Sequence, residues 1–511
     1  MAHKIRARPI GTEALTLLLL TAAAPLQAQD PEVPRTRTFP GVEEAPYPYV
    51  EPADVGLSAE RLDGLADRVA GWVRDSSIVG AEILVVKDRK IVLHEAIGWS
   101  DREAGEPMRR NTIYRLRSMT KPFTATAALM LVEEGKLALD APVVRWLPSW
   151  DNERSGEITV RQLLTHTAGW VQGGLPEPVR LYPNLRAAVD AAGEAGPQHP
   201  PGEAFRYSDV HTYTLGALVA EVSGMTVERF IEERILEPLG LDDTRTRFAP
   251  DTTWADRMNP TYRREDGVWE RYWHPDSAQV APFFRASGGL YSTVFDYVRW
   301  MDAWMQWAGL IKPSTGEAAA PRLLSEAIAR EAVTPSPLAP RELALGAYGY
   351  HWTIRSLEPL VFGHGGSDGT LATAIPSRNT MVLYFTQSRG NTTRGEWTDA
   401  AFEAVAPGLD FPRPTPSLPA AEADLDPVEI SVQELERYTG AYVFLGDTLT
   451  FAAEGGRLRV QEFLGPRVTL DGRPVTRFTL VPVGDRTFAF GRYEEGELAE
   501  VYLPQQRLRF E

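Results

Sequence analysis

The sequence predicts an α/β protein of the α+β type: an antiparallel sheet flanked by helices with an inserted helical region, followed by a small all-β domain. Strand-like runs lie towards both ends of the first 406 residues, and helical patterns fill the stretch between them. This order is expected when a sheet is completed late in the chain. A proline-rich linker at 407–431 follows, and short β-like runs at regular spacing then fill 432–511, which is typical of a small barrel-like domain.

Residues 1–28 have the pattern of a secretory signal peptide. Lys4, Arg6 and Arg8 precede a short apolar run, and the segment ends in small residues at Ala28. The apolar run is too short to span a bilayer. We therefore expect cleavage near Ala28 and a periplasmic or secreted location in a bacterium, with a retained N-terminal anchor as the alternative. Residues 29–55 are rich in proline and acidic side chains and are predicted to form an extended leader.

Composition excludes several classes of function. The 511 residues include no cysteine, so disulfides and thiol chemistry are excluded. The formal net charge of −16 argues against binding to nucleic acid or an anionic membrane. No later segment is long and apolar enough to cross a bilayer. A small molecule or a cell-wall fragment is the expected partner, and the oligomeric state is left open.

Within the first domain, 56–406, local patterns predict most of the elements. Ser58 opens a helix with one apolar stripe, and the runs at 79–86 and 91–98 form a hairpin. Residues 170–202 read as a long loop, in which Trp170 and Tyr182 are expected to line one rim of a substrate pocket. Further helices are predicted from Ser118 to about 134, from 159 to 164, near 211–223 and 226–237, from a cap at 287–292 to about 307, and at 394–406. Further strands are predicted at 347–352, 360–363, 370–375 and 381–386.

One stretch, SMTK at 118–121, has the outline of an activated nucleophile. Ser118 lies at the start of a predicted helix and Lys121 one turn later, so both share a face. The positive end of the helix dipole favours an oxyanion at Ser118, and a nearby base could activate its hydroxyl. The alternative is a capping serine followed by a lysine on a solvated helix face.

Five motifs in order give the chain a family resemblance. They are SMTK at 118–121, LLTHTAG at 163–169, YSD at 207–209, SGGLYS at 287–292 and HGG at 364–366. The chain resembles the class C β-lactamase and penicillin-binding-protein-like serine hydrolases over about residues 50–406. That superfamily also contains D-aminopeptidases, D-Ala-D-Ala carboxypeptidases and family VIII esterases. The resemblance implies a β-lactamase/transpeptidase-like fold, and the tail is similar to the small β-barrel often appended to such hydrolases.

The resemblance also implies roles for individual residues. Ser118 would be the nucleophile that forms an acyl-enzyme, Lys121 would accept or relay its proton, and Tyr207 would carry a proton to the leaving group. The backbone N–H groups of Ser118 and Ser367 would form the oxyanion hole. The strand at His364, Gly365 and Gly366 would lie beside it, where glycines let a substrate approach the backbone.

Several alternatives stay open at this stage. Tyr207 could be a core aromatic, His364 a turn histidine, and His166 is expected to be structural. Residues 365–369, GGSDG, match the Gly-x-Ser-x-Gly nucleophile elbow, but that elbow needs a helix after the serine and a strand-like run follows Ser367 instead. The scattered histidines have no metal-ligand spacing. No metal and no cofactor are expected.

Two departures from the β-lactamase pattern bear on substrate. Asp209 stands where those enzymes carry Asn, and a carboxylate cannot donate a hydrogen bond to a substrate carbonyl. If Asp209 lies near Lys121, it also favours the charged amine. His364 stands where they carry Lys, so a permanent cation facing the β-lactam carboxylate is lost. Both changes favour an ester or peptide substrate over a β-lactam.

The sequence therefore predicts a secreted, cofactor-free serine hydrolase acting on a carboxylic ester or a D-amino-acid-type amide, with weak β-lactam hydrolysis. The alternative is a penicillin-binding sensor or peptidoglycan-binding protein that is acylated but turns over little. A third hypothesis makes the tail the functional element, binding glycan or lipid beside a vestigial hydrolase site.

Overall fold

The structure is a computed structural model. It describes residues 33–37, 45–248, 253–265, 267–277, 282–312, 318–336 and 347–408, and in the tail 417–419, 428, 430–444, 447–454, 457–464, 469–470, 473–474, 479–484, 487–494, 497–502 and 508–509. The predicted signal peptide lies outside the described residues.

Most of the described helices begin at a capping side chain that the sequence supplies locally. Ser58 caps the first helix, and Thr159 and Gln162 form a reciprocal capping box at the third. The helices are α1 Ala59–Arg74, α2 Lys121–Glu133, α3 Val160–Leu164, α4 Leu185–Ala195, α5 Asp209–Ser223, α6 Val227–Ile231, α7 Glu237–Leu239, α8 Val294–Trp307, α9 Glu326–Ala332, α10 Thr393–Val405 and α11 Val432–Leu435.

The described strands are, in chain order, β1 Arg35–Arg37, β2 Gly80–Lys87, β3 Lys90–Asp101, β4 Glu106–Pro107, β5 Tyr114–Arg115, β6 Thr261–Glu265, β7 Val268–Trp273, β8 Tyr291–Ser292, β9 Ala347–Tyr348, β10 Thr353–Leu357, β11 Leu360–Gly365, β12 Leu371–Ile375, β13 Thr380–Thr386, β14 Ser388–Arg389, β15 Ser417–Pro419, β16 Gly440–Phe444, β17 Asp447–Glu454, β18 Arg457–Leu464, β19 Thr469–Leu470, β20 Arg473–Pro474, β21 Thr479–Gly484, β22 Thr487–Glu494, β23 Glu497–Tyr502 and β24 Leu508–Arg509.

A large antiparallel sheet organises the first domain. Its described strands run in the order β1-β3-β2-β13-β12-β11-β10-β9, with β4 paired to β3. The early hairpin β2–β3 and the late strands β9–β13 meet where β13 pairs with β2. Strands from both ends of the domain thus complete one sheet, which confirms the predicted fold class.

Helices cover both faces of this sheet because its central strands alternate two apolar sets. On β2, Ala81, Ile83 and Val85 pack with α1 and α10, whereas Leu84 and Val86 face the larger helical layer. In that layer α8 packs against α2, with the Trp300 ring stacked on Phe123 at 4.0 Å between centroids. The helix α2, which directly follows Ser118, is consequently buried along nearly its whole length.

The prediction of a plain loop at 170–202 is wrong, because α4 lies inside it. Asn184 caps this helix, and its small residues pack on Trp150, where a Cβ on Gly193 would come within 2.2 Å of the indole. Trp170 and Tyr182 do not form an open rim either. Trp170 is fully buried against Trp150, and Tyr182 is 9% exposed. Alanine-rich stripes flanked by proline and glycine give too weak a periodic signal to predict this packing.

Two further sequence expectations need correction. Residues 287–292 do not cap α8; Thr293 does, and Tyr291–Ser292 form β8, which pairs with β5. Of the strand predicted at 347–352, only Ala347–Tyr348 (β9) is a strand. A turn that includes His351, whose φ is +60°, separates it from β10. The hairpin β6–β7 and the helix α9 were not predicted.

Parts of the predicted leader and linker form strands of the two larger sheets. Arg35–Arg37 of the leader joins the main sheet on β3, held by ion pairs from Arg35 to Glu95 and Asp67. Ser417–Pro419 of the linker pairs with β23 of the tail. The tail sheet runs β15-β23-β22-β21-β18-β17-β16, with β24 on β22, among its described strands. Closure of this sheet into a barrel stays a prediction.

Candidate active site

The candidate nucleophile lies on a tight turn that directly follows a short strand pair. Ser118 belongs to a 3-10 turn, Arg117–Thr120, that runs directly into α2. Just before it, β5 pairs with β8, and the Leu116 N–H donates to the Leu290 carbonyl at 2.9 Å. These bonds fix where the turn leaves the sheet, so Ser118 is presented half-buried at the start of a rigid helix.

Lys121 is the centre of the site. Its side chain is fully buried, and its ammonium donates to Ser118 Oγ at 3.3 Å, to Asp209 Oδ1 at 2.6 Å and to the Ser287 carbonyl at 3.3 Å. The same nitrogen lies 4.6 Å from the ring centroid of Tyr207. The structure thus brings Ser118, Lys121, Tyr207 and Asp209 together, from two separate parts of the chain.

Charge in this cluster is set by the ion pair between Lys121 and Asp209. Burial alone would lower the pKa of Lys121, but the charge of Asp209, together with Tyr207 and the hydrogen bonds to both, outweighs burial and the pKa is raised. Burial would likewise raise the pKa of Asp209, yet Lys121 and Arg285 hold it well below its usual range. Both groups are therefore ionised at neutral pH, and Lys121 is a hydrogen-bond donor to Ser118 in the resting protein.

Asp209 has two further partners that sequence patterns did not reveal. Gln172 Nε2 donates to Asp209 Oδ2 at 2.9 Å, and the Asp209 N–H donates back to Gln172 Oε1 at 3.2 Å. Arg285 Nη2 lies 3.5 Å from Asp209 Oδ2. Gln172 comes from the 170–202 segment, so that segment reaches the site through an amide rather than through its aromatic side chains. No local motif marks either residue.

Tyr207 is neutral in the resting site. Burial raises the pKa of its hydroxyl, although the charge of Lys121 and hydrogen bonding to Lys121 and Ser118 act in the opposite direction. Its ring packs on the imidazole of His166, with centroids 4.7 Å apart. The hydroxyl can therefore donate a proton but is a poor base until a neighbouring charge changes.

His364 supplies no cation. It lies on β11, where Nδ1 donates to the Gly365 carbonyl and Nε2 accepts from Tyr348, each at 2.8 Å. Burial, helped by the charge of Lys121, lowers the pKa of His364 to about 3. A neutral, hydrogen-bonded imidazole thus occupies the place where the family resemblance puts a lysine.

The glycine strand approaches the nucleophile turn closely. A Cβ on Gly366 would come within 2.2 Å of the Leu116 carbonyl oxygen, so only glycine fits there. The Gly366 N–H donates to the Thr370 carbonyl in the turn that holds Ser367. The strand β12 follows this turn, so the helix that a Gly-x-Ser-x-Gly elbow needs is replaced by a strand. Ser367 Oγ accepts a hydrogen bond from Arg389 at 3.0 Å.

A buried histidine cluster lies behind Tyr207. His166, His211 and His351 are all fully buried, with the His166 ring 5.0 Å from His211 and 4.5 Å from His351. His166 Nδ1 accepts from the Ser208 N–H, so His211 must donate in the 2.7 Å contact between the two Nδ1 atoms. His166 is thus buried and packed on Tyr207, and its structural role stays a prediction. The association of these histidines was not predictable from their spacing.

Neither a metal cluster nor a membrane span is found in the described part of the chain. Among those residues, no three His, Asp or Glu side chains are placed to hold a metal ion. No helix there combines the length and apolarity needed to cross a bilayer.

Comparisons with known proteins identify relatives of this chain. Residues 63–406 match the family model described as Beta-lactamase. The chain is 30% identical over 299 residues to esterase EstB of Burkholderia gladioli, covering 52% of this chain and 75% of the esterase. It is 24% identical over 449 residues to a penicillin-binding protein of Bacillus subtilis, covering 82% and 93%.

A solved structure shares the fold at lower identity. The D-amino acid amidase of Ochrobactrum anthropi SV3 superimposes with a TM-score of 0.54 at 22% identity, covering 67% of this chain and 98% of the amidase. The family model spans most of the chain. This protein belongs to the beta-lactamase family of serine hydrolases.

Proposed function

We propose that the protein is a secreted hydrolase that forms an acyl-enzyme at Ser118 and acts on a carboxylic ester or a D-amino-acid-type amide. The observation that carries the proposal is the position of Lys121 Nζ, 3.3 Å from Ser118 Oγ and buried with Tyr207 beside it. A serine hydroxyl with a titratable amine in hydrogen-bond reach is the arrangement that nucleophilic catalysis needs.

In the proposed reaction, the neutral form of Lys121 takes the Ser118 proton as Oγ attacks the substrate carbonyl. The negative oxygen of the tetrahedral intermediate is held by the N–H groups of Ser118 and Ser367. Tyr207 donates a proton to the leaving oxygen or nitrogen as its bond to the acyl carbon breaks. In deacylation, deprotonated Tyr207 takes a proton from the attacking water as its oxygen bonds to the acyl carbon. The bond to Ser118 Oγ then breaks, Lys121 gives its proton back to that oxygen, and the free acid leaves with both residues restored.

The charges around Ser118 support a substrate other than a β-lactam. The pKa of His364 is lowered to about 3, so His364 offers no cation to a β-lactam carboxylate. Asp209 is an ionised acceptor already bonded to Lys121 and Gln172, so it offers no amide N–H to a substrate carbonyl. Relatives named as an esterase and a D-amino acid amidase lie in the same family or fold.

A second function is favoured by one observation. Because Lys121 is charged at rest, only a small fraction of molecules carries the neutral base at neutral pH. This scarcity slows the attack of Ser118 as well, but where it slows the attack of water more, the protein is a penicillin-binding sensor that is acylated once. A burst measurement separates the two: a sensor releases one equivalent of product and stops, whereas a hydrolase continues in a linear steady state.

A fluorophosphonate probe tests the nucleophile directly. We expect one equivalent of probe to be bound, with the mass shift on the peptide that contains Ser118. Ser118→Ala should abolish labelling and Ser367→Ala should retain it. Labelling on Ser367 alone would contradict the proposal. N-terminal sequencing of protein from the culture fluid or periplasm tests secretion, with Gln29 as the expected first residue.

A further inference from the structure

A buried ion pair joins the nucleophile turn to the turn after the glycine strand. Arg117 Nε donates to Asp368 Oδ2 at 2.6 Å, across 251 residues of sequence. Asp368 is 1% exposed, and the Arg117 side chain is 12% exposed. Arg117 directly precedes Ser118, and Asp368 directly follows Ser367. Each end of the ion pair is therefore covalently attached to a residue whose N–H is assigned to the oxyanion hole.

Other side chains hold this pair in one geometry. Tyr272 donates its hydroxyl to Asp368 Oδ1 at 2.5 Å and accepts from Arg117 Nη2 at 3.0 Å. Arg389 Nη1 donates to Asp368 Oδ1 at 3.1 Å and to Ser367 Oγ at 3.0 Å. Arg394 donates to the Gly366 carbonyl. Rotation of either turn would break several charge-assisted bonds at once.

The backbone at Arg117 is strained in the conformation that this ion pair holds. Arg117 has a φ of +51°, in the left-handed region that residues with a Cβ occupy at a cost. Burial alone would raise the pKa of Asp368, but Arg117, Arg115 and Arg389 hold it well below its usual range, so the carboxylate is charged. The strained backbone of Arg117 lies beside the candidate nucleophile, and a buried ion pair holds it there. This combination indicates that the conformation has a function.

We propose that Arg117 and Asp368 are positioning residues that set the separation of the Ser118 and Ser367 N–H groups, and so preorganise the oxyanion hole. This proposal rests on the proposed function of Ser118 as nucleophile. Two N–H donors stabilise a developing oxyanion only if both point at the place it will occupy. Binding of the ground-state substrate depends much less on the placement of these N–H groups. Loss of the Arg117–Asp368 ion pair should therefore lower kcat more than it raises KM.

The test compares Asp368→Asn with a matched control, Asp243→Asn. Both replacements keep side-chain size, and Asp243 forms a two-bond ion pair with Arg257, at 2.7 Å for each contact, without contacting the site residues. We expect Asp368→Asn to lower kcat by about 10²-fold with little change in KM, while Asp243→Asn keeps the kcat of the unmodified protein. Arg117→Lys, which retains the charge but not the planar fork, should give an intermediate kcat.

Affinity for a boronic acid separates positioning from a structural role. The boronate bonds to Ser118 Oγ and becomes tetrahedral, with one oxygen in the oxyanion position, so its affinity should fall by the same factor as kcat/KM. A bound product acid should lose little affinity. Circular dichroism and a melting curve establish that each variant is folded; if Asp368→Asn is not, Arg117→Lys carries the same comparison.

Two outcomes would overturn the proposal. One is a folded variant with kcat within twofold of the unmodified protein, and the other is an equal loss of affinity for boronate and product. Failure of the proposed function gives a different result, namely turnover that survives Ser118→Ala. An inactive Ser118→Ala protein together with a fully active Asp368→Asn protein would contradict only the bracing.

Discussion

The ammonium of Lys121 lies closer to the Asp209 carboxylate, at 2.6 Å, than to the Ser118 hydroxyl, at 3.3 Å. The pair is buried, so its Coulomb attraction is weakly screened and fixes the resting charge of both groups. An amide at position 209 would leave Lys121 buried without a counter-charge, and burial would then lower its pKa. Position 209 therefore controls how much of the neutral base exists at a given pH.

This relationship predicts a displaced pH profile for Asp209→Asn. In the proposed mechanism the neutral form of Lys121 is the base, so kcat/KM of the unmodified protein should rise with pH through the alkaline range. Removing the carboxylate lowers the pKa of Lys121, so the rising limb should move to lower pH. At any pH well below the pKa of Lys121, lowering that pKa by one raises the neutral fraction, and with it kcat/KM, about tenfold.

Steady-state rates between pH 6 and 10 check the displacement of the pH profile. Asp140→Asn, which removes an exposed ion pair, is the control. An unmoved limb would exclude Lys121 as the titrating base.

Substitution of the three proposed catalytic residues should give unequal losses. Ser118→Ala should abolish turnover, because no acyl-enzyme can form. Lys121→Met and Tyr207→Phe should each lower kcat by about 10²- to 10⁴-fold, the usual contribution of a positioned acid or base. Single-turnover and steady-state kinetics on an activated ester and on a D-amino acid amide measure these losses. Full activity in Ser118→Ala with none in Ser367→Ala would reverse the assignment.

The buried histidines predict a loss of stability in mild acid. Burial lowers the pKa of His166 and His351 well below the ordinary value and those of His211 and His364 to about 3. Between about pH 4 and 6.5 the unfolded chain binds protons at these positions and the folded chain does not, so stability falls as pH falls through this window. The slope is about 1.4 kcal/mol per pH unit for each fully protonated histidine.

The effects of three buried aspartates on stability can be distinguished from the effect of the histidines. The pKa of Asp296 is raised to about 6, so the folded state gains a proton in the same window and offsets one histidine. Asp209 and Asp368 contribute stability that is lost only below the ordinary range of aspartate. Urea unfolding from pH 4 to 7 measures the slope. Asparagine at position 351 tolerates the left-handed backbone and does not titrate. His351→Asn should therefore reduce the slope of the unfolding free energy against pH by the contribution of one proton. An unchanged slope would contradict the assignment of this slope to the buried histidines.

Restoring a lysine at position 364 should not create a β-lactamase. His364 is 4% exposed, and the nearby charges of Lys121, Arg355 and Arg394 are all positive. An ammonium there would be buried without a partner, at a cost of about 3–5 kcal/mol. His364→Lys should therefore unfold at lower denaturant concentration and show no gain in nitrocefin hydrolysis, whereas His364→Gln should stay close to the unmodified protein in stability. Efficient nitrocefin turnover by the lysine variant would show that the site accepts the cation.

Much of the fold follows from local pattern. The β2–β3 hairpin and the helices α1, α2 and α5 were predicted close to where they lie, because period-2 and period-3.6 apolar spacing is a property of neighbouring residues. The small helix α4 and the β6–β7 hairpin were missed. Their apolar sets are short, and contacts with Trp150 and with β14 stabilise them instead.

The sequence by itself determined the family, the order of the motifs and the residues around Ser118, because these are read from short stretches of chain. Only the tertiary structure decided their charges and partners. Lys121 meets Asp209 across 88 residues and Arg117 meets Asp368 across 251. Burial and pairing, not residue type, set whether Lys121 is charged and His364 neutral. Both depend on which distant groups the fold brings into contact in a region that excludes water.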